Sequence, residues 1–178
     1  MTPADPQITM HQSIAAYDPT QWHDLCVALA GASGALLGLA FLAISFNLDA
    51  ILADKGLPGR AVETLIFFAY PLAASILVLV PGMSHVALGV GIAVLTAVLV
   101  ALVIRVALPR WSAERAVPVS WRLSHAAPGV LLTALSAVAA VAVVTSSIGG
   151  LYWLGATMAL ATVAGLVNSW VLLVEIKR

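Results

Sequence analysis

Five long apolar runs, separated by short polar segments, dominate the chain. They cover about residues 25–46, 61–80, 86–107, 128–148 and 151–174. Each run has about 20 residues or more, which at 1.5 Å per residue is enough to cross a hydrocarbon core about 30 Å thick. Lipid cannot satisfy backbone polar groups, so such runs form helices. The pattern predicts an all-α polytopic membrane protein, with a polar arm over residues 1–21 and one five-helix transmembrane domain over residues 22–178.

The basic residues are confined to alternate connections between the apolar runs, and this distribution predicts the orientation of the protein in the membrane. The arm, the second connection and the fourth connection have no Lys or Arg. The eight Lys and Arg residues flank or occupy the first connection, the third connection and the tail: Lys55, Arg60, Arg105, Arg110, Arg115, Arg122, Lys177 and Arg178. Because Lys and Arg in short loops stay in the cytoplasm, we expect the N-terminus outside and the C-terminus in the cytoplasm. The excess of Arg over Lys and the abundant Ala favour a bacterial cytoplasmic (inner) membrane.

The composition narrows the functional classes. The chain is 62% hydrophobic and 9% charged, which excludes an ordinary soluble domain. The central two-thirds of each apolar run contain no Asp, Glu, Lys, Arg or His. Because ionisable groups at membrane depth mark proton relays, ion-coupled transport and voltage sensing, their absence argues against all three. It also leaves no acid–base or nucleophile pair there, so we expect no enzyme activity, no cofactor and no nucleic-acid partner.

Small residues form stripes on the predicted helices. The clearest are Gly31, Gly34 and Gly38 on the first helix and Gly155 with Gly165 on the fifth. Small side chains let membrane helices approach closely. The stripes therefore predict helix packing, and at least one of them is expected to face a second copy of the chain. Packing within one subunit, or against another membrane protein, is the alternative.

Polar residues collect near the cytoplasmic third of the bundle. They are Ser45, Asn47, Asp49, Glu63, Asn168 and Ser169. One hypothesis makes them the lining of an inner vestibule or pore. The other makes them structural hydrogen-bonding groups, with Asp49 and Glu63 pairing with Arg60 and Arg105.

Three further features carry weaker hypotheses. Pro71 lies inside the second run, where it predicts a kink that serves as a hinge or as a packing accommodation. His23, Cys26 and His85 are weak candidates for a metal site on the outer side, but their spacing matches no recognised motif and we expect no bound metal. The Arg- and Trp-containing stretch from Leu108 to Pro128 predicts a segment lying on the inner leaflet, or an ordinary basic loop.

Several short sequences resemble small bacterial integral membrane proteins whose first helix starts with Trp-His-Asp. These sequences are Trp22-His23-Asp24, the glycine stripe of the first helix, Asn47-Leu48, Leu57-Pro58-Gly59-Arg60 and Asn168-Ser169-Trp170. The resemblance implies a membrane location and no particular activity.

Three functional hypotheses follow from the residues. The first is a homo-oligomeric channel or passive transport protein for a small ion or solute, with an uncharged pathway, surrounded by membrane lipid. The second is a non-catalytic accessory protein that binds another membrane protein through its small-residue helix faces. The third, a membrane enzyme or metal-dependent redox protein, has the least support.

Overall fold

A computed structural model of the protein describes residues 16–54, 56–113, 119–147 and 149–176. A one-turn 3-10 helix, Pro19–Trp22, leads into the first long helix. In chain order the α-helices are α1 (His23–Phe46), α2 (Leu48–Ala53), α3 (Leu57–Val78), α4 (His85–Ala113), α5 (Val119–Val144) and α6 (Leu151–Ile176). Across these described ranges there is no β-strand.

Five of the helical segments are long and apolar enough to cross a membrane, which confirms the predicted all-α class with five such helices. They are Pro19–Phe46, Leu57–Val78, His85–Val106, Ala127–Val144 and Leu151–Glu175. Large apolar side chains remain exposed on all five, as in Phe41, Val62, Val94, Val141 and Val163. An apolar exterior is what a bilayer requires, so the fold is that of a multi-pass membrane protein.

The connections differ from the prediction in two places. The short helix α2 was not predicted, and it fills the connection between the first two membrane-crossing helices. The segment expected to lie on the inner leaflet is mostly a continuation of α4 as far as Ala113 and of α5 from Val119, while residues 114–118 lie outside the described ranges. Because both helices run on without a break, most of this segment is helix continuous with the membrane-crossing helices.

The helix α3 occupies the middle of the bundle. It packs against α1, α4 and α6, while α5 joins α4 to α6 on the other side. Its residues Phe67, Phe68, Tyr70 and Ala74 are at most 3% exposed. Burying large side chains on several faces is expected of a helix with three neighbours.

By contrast, α1 lies at the edge of the bundle. It packs mainly on α3 and hardly contacts α6. Only 11% of the residues in its most apolar stretch are buried, compared with 56% for α3. Most of the surface of α1 is therefore free to contact lipid or another protein.

The end of the bundle at which α1 begins is held together by the segment that precedes α1. The Leu151 amide donates a hydrogen bond to the Ala16 carbonyl at 2.8 Å, and the ring of Trp22 meets that of Tyr152 edge to face at 5.0 Å. The turn between α5 and α6 approaches this segment through Gly150, whose φ of +46° and lack of a side chain leave room for Ala16.

Candidate functional site

The polar residues at the end of α1 bond mainly to their own helix. The Ser45 hydroxyl donates to the Phe41 carbonyl at 2.8 Å, and the Asn47 amide donates to the Ala43 carbonyl at 2.8 Å. Ser45 is exposed on α1 and Asp49 is exposed on α2. These groups therefore lie on the outer surface of the single chain and do not converge on an internal vestibule.

Asn168 joins α6 to α3. Its Nδ2 donates to Thr64 Oγ1 at 2.9 Å and to the Arg60 carbonyl at 3.2 Å. Interhelical bonds of this kind are worth about 0.6 to 2 kcal/mol in membrane proteins. This geometry favours the structural interpretation of Asn168 over the vestibule interpretation.

Arg60 forms an ion pair with a residue that the sequence did not single out. Its Nη1 lies 3.3 Å from Oε1 of Glu175, and the two side chains are 13% and 38% exposed. The pair connects α3 and α6 about one turn from Thr64 along α3 and about two turns from Asn168 along α6. Glu63 is half-buried on α3, one turn along from Arg60.

A groove follows the same helices toward the middle of the membrane. It has a volume of about 250 Å³, and it lies between α1 and α6 with α3 at its base. Its lining includes Ala43 from α1, Thr64 and Phe68 from α3, and Ser169 with Leu172 from α6. The Ser169 hydroxyl oxygen is buried and has no hydrogen-bond partner among the described residues. The groove is therefore apolar, with one unsatisfied hydroxyl.

A chain of three buried hydroxyls lies deeper in the bundle. Tyr70 on α3 donates to Ser136 Oγ on α5 at 2.7 Å, and Ser136 Oγ lies 2.6 Å from Thr96 Oγ1 on α4. Thr96 donates in turn to the Ile92 carbonyl at 2.8 Å. No motif in the sequence connects these residues, although all three fall near the middle of their apolar runs. Their similar depth in neighbouring membrane-crossing helices is the sequence signal from which their contact could have been predicted.

The glycines divide into two groups. A Cβ at Gly155 would lie 2.7 Å from the Trp22 ring, and one at Gly165 would lie 2.6 Å from the Phe68 ring. These two glycines permit close packing within the chain. A Cβ at Gly34 would lie 3.9 Å from Leu72, whereas at Gly31 or Gly38 it would meet nothing within 4 Å. The first-helix stripe is thus largely uncovered.

The candidate hinge, Pro71, is buried inside α3, which continues as a helix on both sides of it. Proline has no N–H, so the carbonyl of Phe67 loses its usual helical donor. Phe67 and Tyr70 are packed in the core around this point. The surroundings of Pro71 favour the packing interpretation of the proline.

The weak metal candidates do not form a cluster. His23 Nδ1 lies 3.2 Å from its neighbour Asp24, Cys26 is buried, and His85 is exposed at the start of α4. Among the described residues, no group of three His, Cys, Asp or Glu side chains is placed to hold a metal ion.

Asp18 caps the 3-10 helix that precedes α1. Its Oδ1 accepts hydrogen bonds from the Thr20 hydroxyl at 2.7 Å and from the Thr20 amide at 3.0 Å. The hydroxyl first, and the amide second, hold the pKa of the Asp18 carboxyl below its ordinary value. Asp18 is thus the N-cap of this helix, and Pro19 occupies its first turn, where a missing N–H costs nothing.

Comparison of the chain with protein-family models, curated proteins and solved structures gave no significant match, so its function is inferred from the residues themselves.

Proposed function

We propose that the protein is a homo-oligomeric channel or passive transport protein for a small ion or solute. In this proposal it lies in the bacterial cytoplasmic membrane with its N-terminus outside. Its copies place one face of α1 around a shared, uncharged pathway. The observation that carries the proposal is the uncovered face formed by Gly31, Gly38 and Ser45. A Cβ added to either glycine would meet nothing within 4 Å, and Ser45 is exposed.

The spacing of these residues places them on one face. Gly31, Gly38 and Ser45 follow one another at intervals of seven residues. Seven residues complete nearly two turns of an α-helix, so the face drifts by only about 20° at each step. Two glycines and one hydroxyl leave this face with open space and an uncharged polar group. Such groups suit a pathway that contains no fixed charge.

A pathway between copies has more support than one inside a single chain. The middle of the chain is filled by side chains such as Phe67, Ile92 and Leu132, which are at most 2% exposed. The buried hydroxyls of Tyr70, Thr96 and Ser136 are bonded to one another. In the proposed assembly, exposed Asp49 lies beyond the end of the α1 face, at the cytoplasmic mouth.

The same uncovered face also supports the second candidate, a non-catalytic accessory protein. Two glycines with open space around them can accept a helix of a different membrane protein as readily as α1 of another copy. We expect neither catalytic activity nor a bound cofactor in either case.

Thiol accessibility tests the proposed pathway. The single cysteine, Cys26, is buried, so Cys26→Ser provides a background for new cysteines. Gly38→Cys and Ser45→Cys are prepared in proteoliposomes and treated with a charged, membrane-impermeant thiol reagent. A matched control is Leu102→Cys on α4, which is 39% exposed and lies on a different helix.

We expect the α1 cysteines to react, the Leu102→Cys control to stay unmodified, and solute flux to change only when α1 is modified. Native mass spectrometry should give a defined oligomer. A monomer, or α1 cysteines as unreactive as the control, would contradict the shared pathway. An unreactive α1 face that cross-links to a different membrane protein would favour the accessory role.

A further inference from the structure

The groove between α1 and α6 is separate from the α1 face proposed for the pathway. Leu36 and Ala43 line the groove, and at 100° per residue they lie roughly 150° around α1 from Gly38. Both α1 and α6 pack on α3 but hardly contact each other. The groove therefore opens sideways between them, on a surface that faces the bilayer.

The position and the lining of the groove indicate its occupant. The groove lies between α1 and α6, which hardly contact each other, so it is open along its side to the bilayer. The acyl chains of the bilayer are flexible and apolar, and one of them can lie along a narrow groove of this kind. The lining side chains, Leu39, Ala43, Phe68 and Leu172 among them, are apolar.

Two oppositely charged side chains lie beyond one end of the groove. Thr64 and Leu172 line the groove, and the Arg60–Glu175 ion pair lies about one helical turn beyond them on the same two helices. The pair presents one cation and one anion 3.3 Å apart. A guanidinium binds phosphate well, and a carboxylate binds an ammonium group. Together they complement a headgroup that carries both a phosphate and an ammonium better than a purely anionic headgroup.

Ser169 supplies a separate observation. Ser169 lines the groove, and its hydroxyl oxygen is buried and has no hydrogen-bond partner within the described part of the chain. A hydroxyl left unpaired in an apolar environment carries a free-energy penalty. It lies six residues before Glu175, about 9 Å along α6. That is the region below the headgroup, where a glycerophospholipid carries its ester carbonyls, which are hydrogen-bond acceptors.

We propose that the groove is a binding site for an aminophospholipid such as phosphatidylethanolamine. One acyl chain lies between α1 and α6, an ester carbonyl accepts a hydrogen bond from Ser169, and the phosphate and ammonium groups bind Arg60 and Glu175. The site is independent of the proposed pathway, since it uses the other side of α1.

Photo-crosslinking of the unmodified protein tests the acyl-chain site. The full chain is placed in vesicles of phosphatidylcholine that contain phosphatidylethanolamine with a photoreactive group midway along one acyl chain. Mass spectrometry of the digested protein should find adducts concentrated in residues 36–44 and 166–173. Exposed positions on α4, such as Val90 and Val94, serve as the internal reference for general lipid contact. Uniform labelling of the two regions and α4 would overturn the proposal, as would protein–protein adducts at the groove in place of lipid adducts.

Matched variants test the same site by lipid retention in native mass spectrometry. Ala43→Phe fills the groove, and Ala97→Phe adds the same ring at an exposed position on α4. We expect retained phosphatidylethanolamine to fall about five-fold or more in the first variant and to stay unchanged in the second. Ser169→Ala, which removes only the hydroxyl, should give a smaller decrease and keeps the test decisive if Ala43→Phe does not fold. Equal retention by the wild type, Ala43→Phe and Ser169→Ala would overturn the proposal.

The headgroup is tested with lipids that share the same acyl chains. The wild type should retain phosphatidylethanolamine better than phosphatidylglycerol, and both better than diacylglycerol. Glu175→Gln should abolish the preference between the first two lipids, and Arg60→Gln should lower retention of both. If diacylglycerol is retained equally well, the ion pair does not recognise a headgroup and the proposed site is wrong.

Discussion

The Asn168 amide donates a hydrogen bond to Thr64 Oγ1 at 2.9 Å and so connects α6 to α3. The Thr64 hydroxyl itself donates to the Arg60 carbonyl at 2.9 Å, and the Asn168 amide reaches the same carbonyl at 3.2 Å. One carboxamide thus completes a small network that involves a side chain and a backbone carbonyl of α3. Just beyond it, Arg60 and Glu175 join the same pair of helices.

Replacing Asn168 with leucine should lower stability without changing transport. Asn168→Leu removes both interhelical hydrogen bonds, and we expect the free energy of unfolding to fall by about 1 kcal/mol. Thermal unfolding of the purified full chain measures this change, and a flux assay in proteoliposomes measures transport. Val167→Leu, at an exposed neighbouring position, is the control and should change neither property. Altered flux at full stability would instead place Asn168 in the pathway.

The Tyr70–Ser136 hydrogen bond should contribute measurably to packing. Tyr70→Phe removes the donor, and we expect a loss of about 0.6 to 1.7 kcal/mol in the free energy of unfolding. Because Ser136 also contacts Thr96, Ser136→Ala should cost more than Tyr70→Phe. A double-mutant cycle isolates the coupling between Tyr70 and Ser136. Additive effects of the two substitutions would show that the bond contributes nothing.

Substitution of alanine for Gly165 and for Gly38 should affect the free energy of unfolding differently. At Gly165 the new methyl group would lie 2.6 Å from the ring of Phe68, which is buried, so we expect Gly165→Ala to cost about 1–3 kcal/mol. At Gly38 nothing lies within 4 Å, and alanine has the better helix propensity by up to about 1 kcal/mol. Gly38→Ala should therefore leave the fold of each chain equally or more stable.

Urea or thermal unfolding in the same detergent compares these two variants. Similar destabilisation by both would mean that the Gly38 face is covered after all. In that case the uncovered face could no longer support the proposed pathway.

Much of the fold follows from the hydrophobic pattern alone. The length and composition of the apolar runs predict five helices because each must satisfy its own backbone in lipid. What the pattern leaves open is the rotation of each helix about its axis. Gly38 and Gly165 belong to stripes of the same kind, yet one is uncovered and the other is packed against Phe68.

The candidate site shows the same limit. The depth of Asn168 in the last run indicates that its amide needs a partner, but not that the partner is Thr64. The sequence predicted Asp49 and Glu63 as partners of Arg60 and Arg105, but it did not identify Glu175. Glu175 lies more than 100 residues from Arg60 in the chain, and only the packing of α3 on α6 brings the two together. Long-range side-chain pairing depends on helix rotation and register, which hydropathy does not record.

The cap that Asp18 forms on the 3-10 helix leads to a prediction about pH. The Thr20 hydroxyl and amide lower the pKa of the exposed Asp18 carboxyl, so ionised Asp18 is favoured in the folded state. A lowered pKa stabilises the fold at pH values above the ordinary Asp pKa of about 3.9, and this contribution is lost as the pH falls through the lowered value. An NMR titration of the Asp18 carboxyl should therefore have its midpoint below about 3.9. Thr20→Val should raise that midpoint, whereas Thr20→Ser, which keeps the hydroxyl, should preserve it. A midpoint at or above the ordinary value in the unmodified chain would show that the cap does not hold in the membrane.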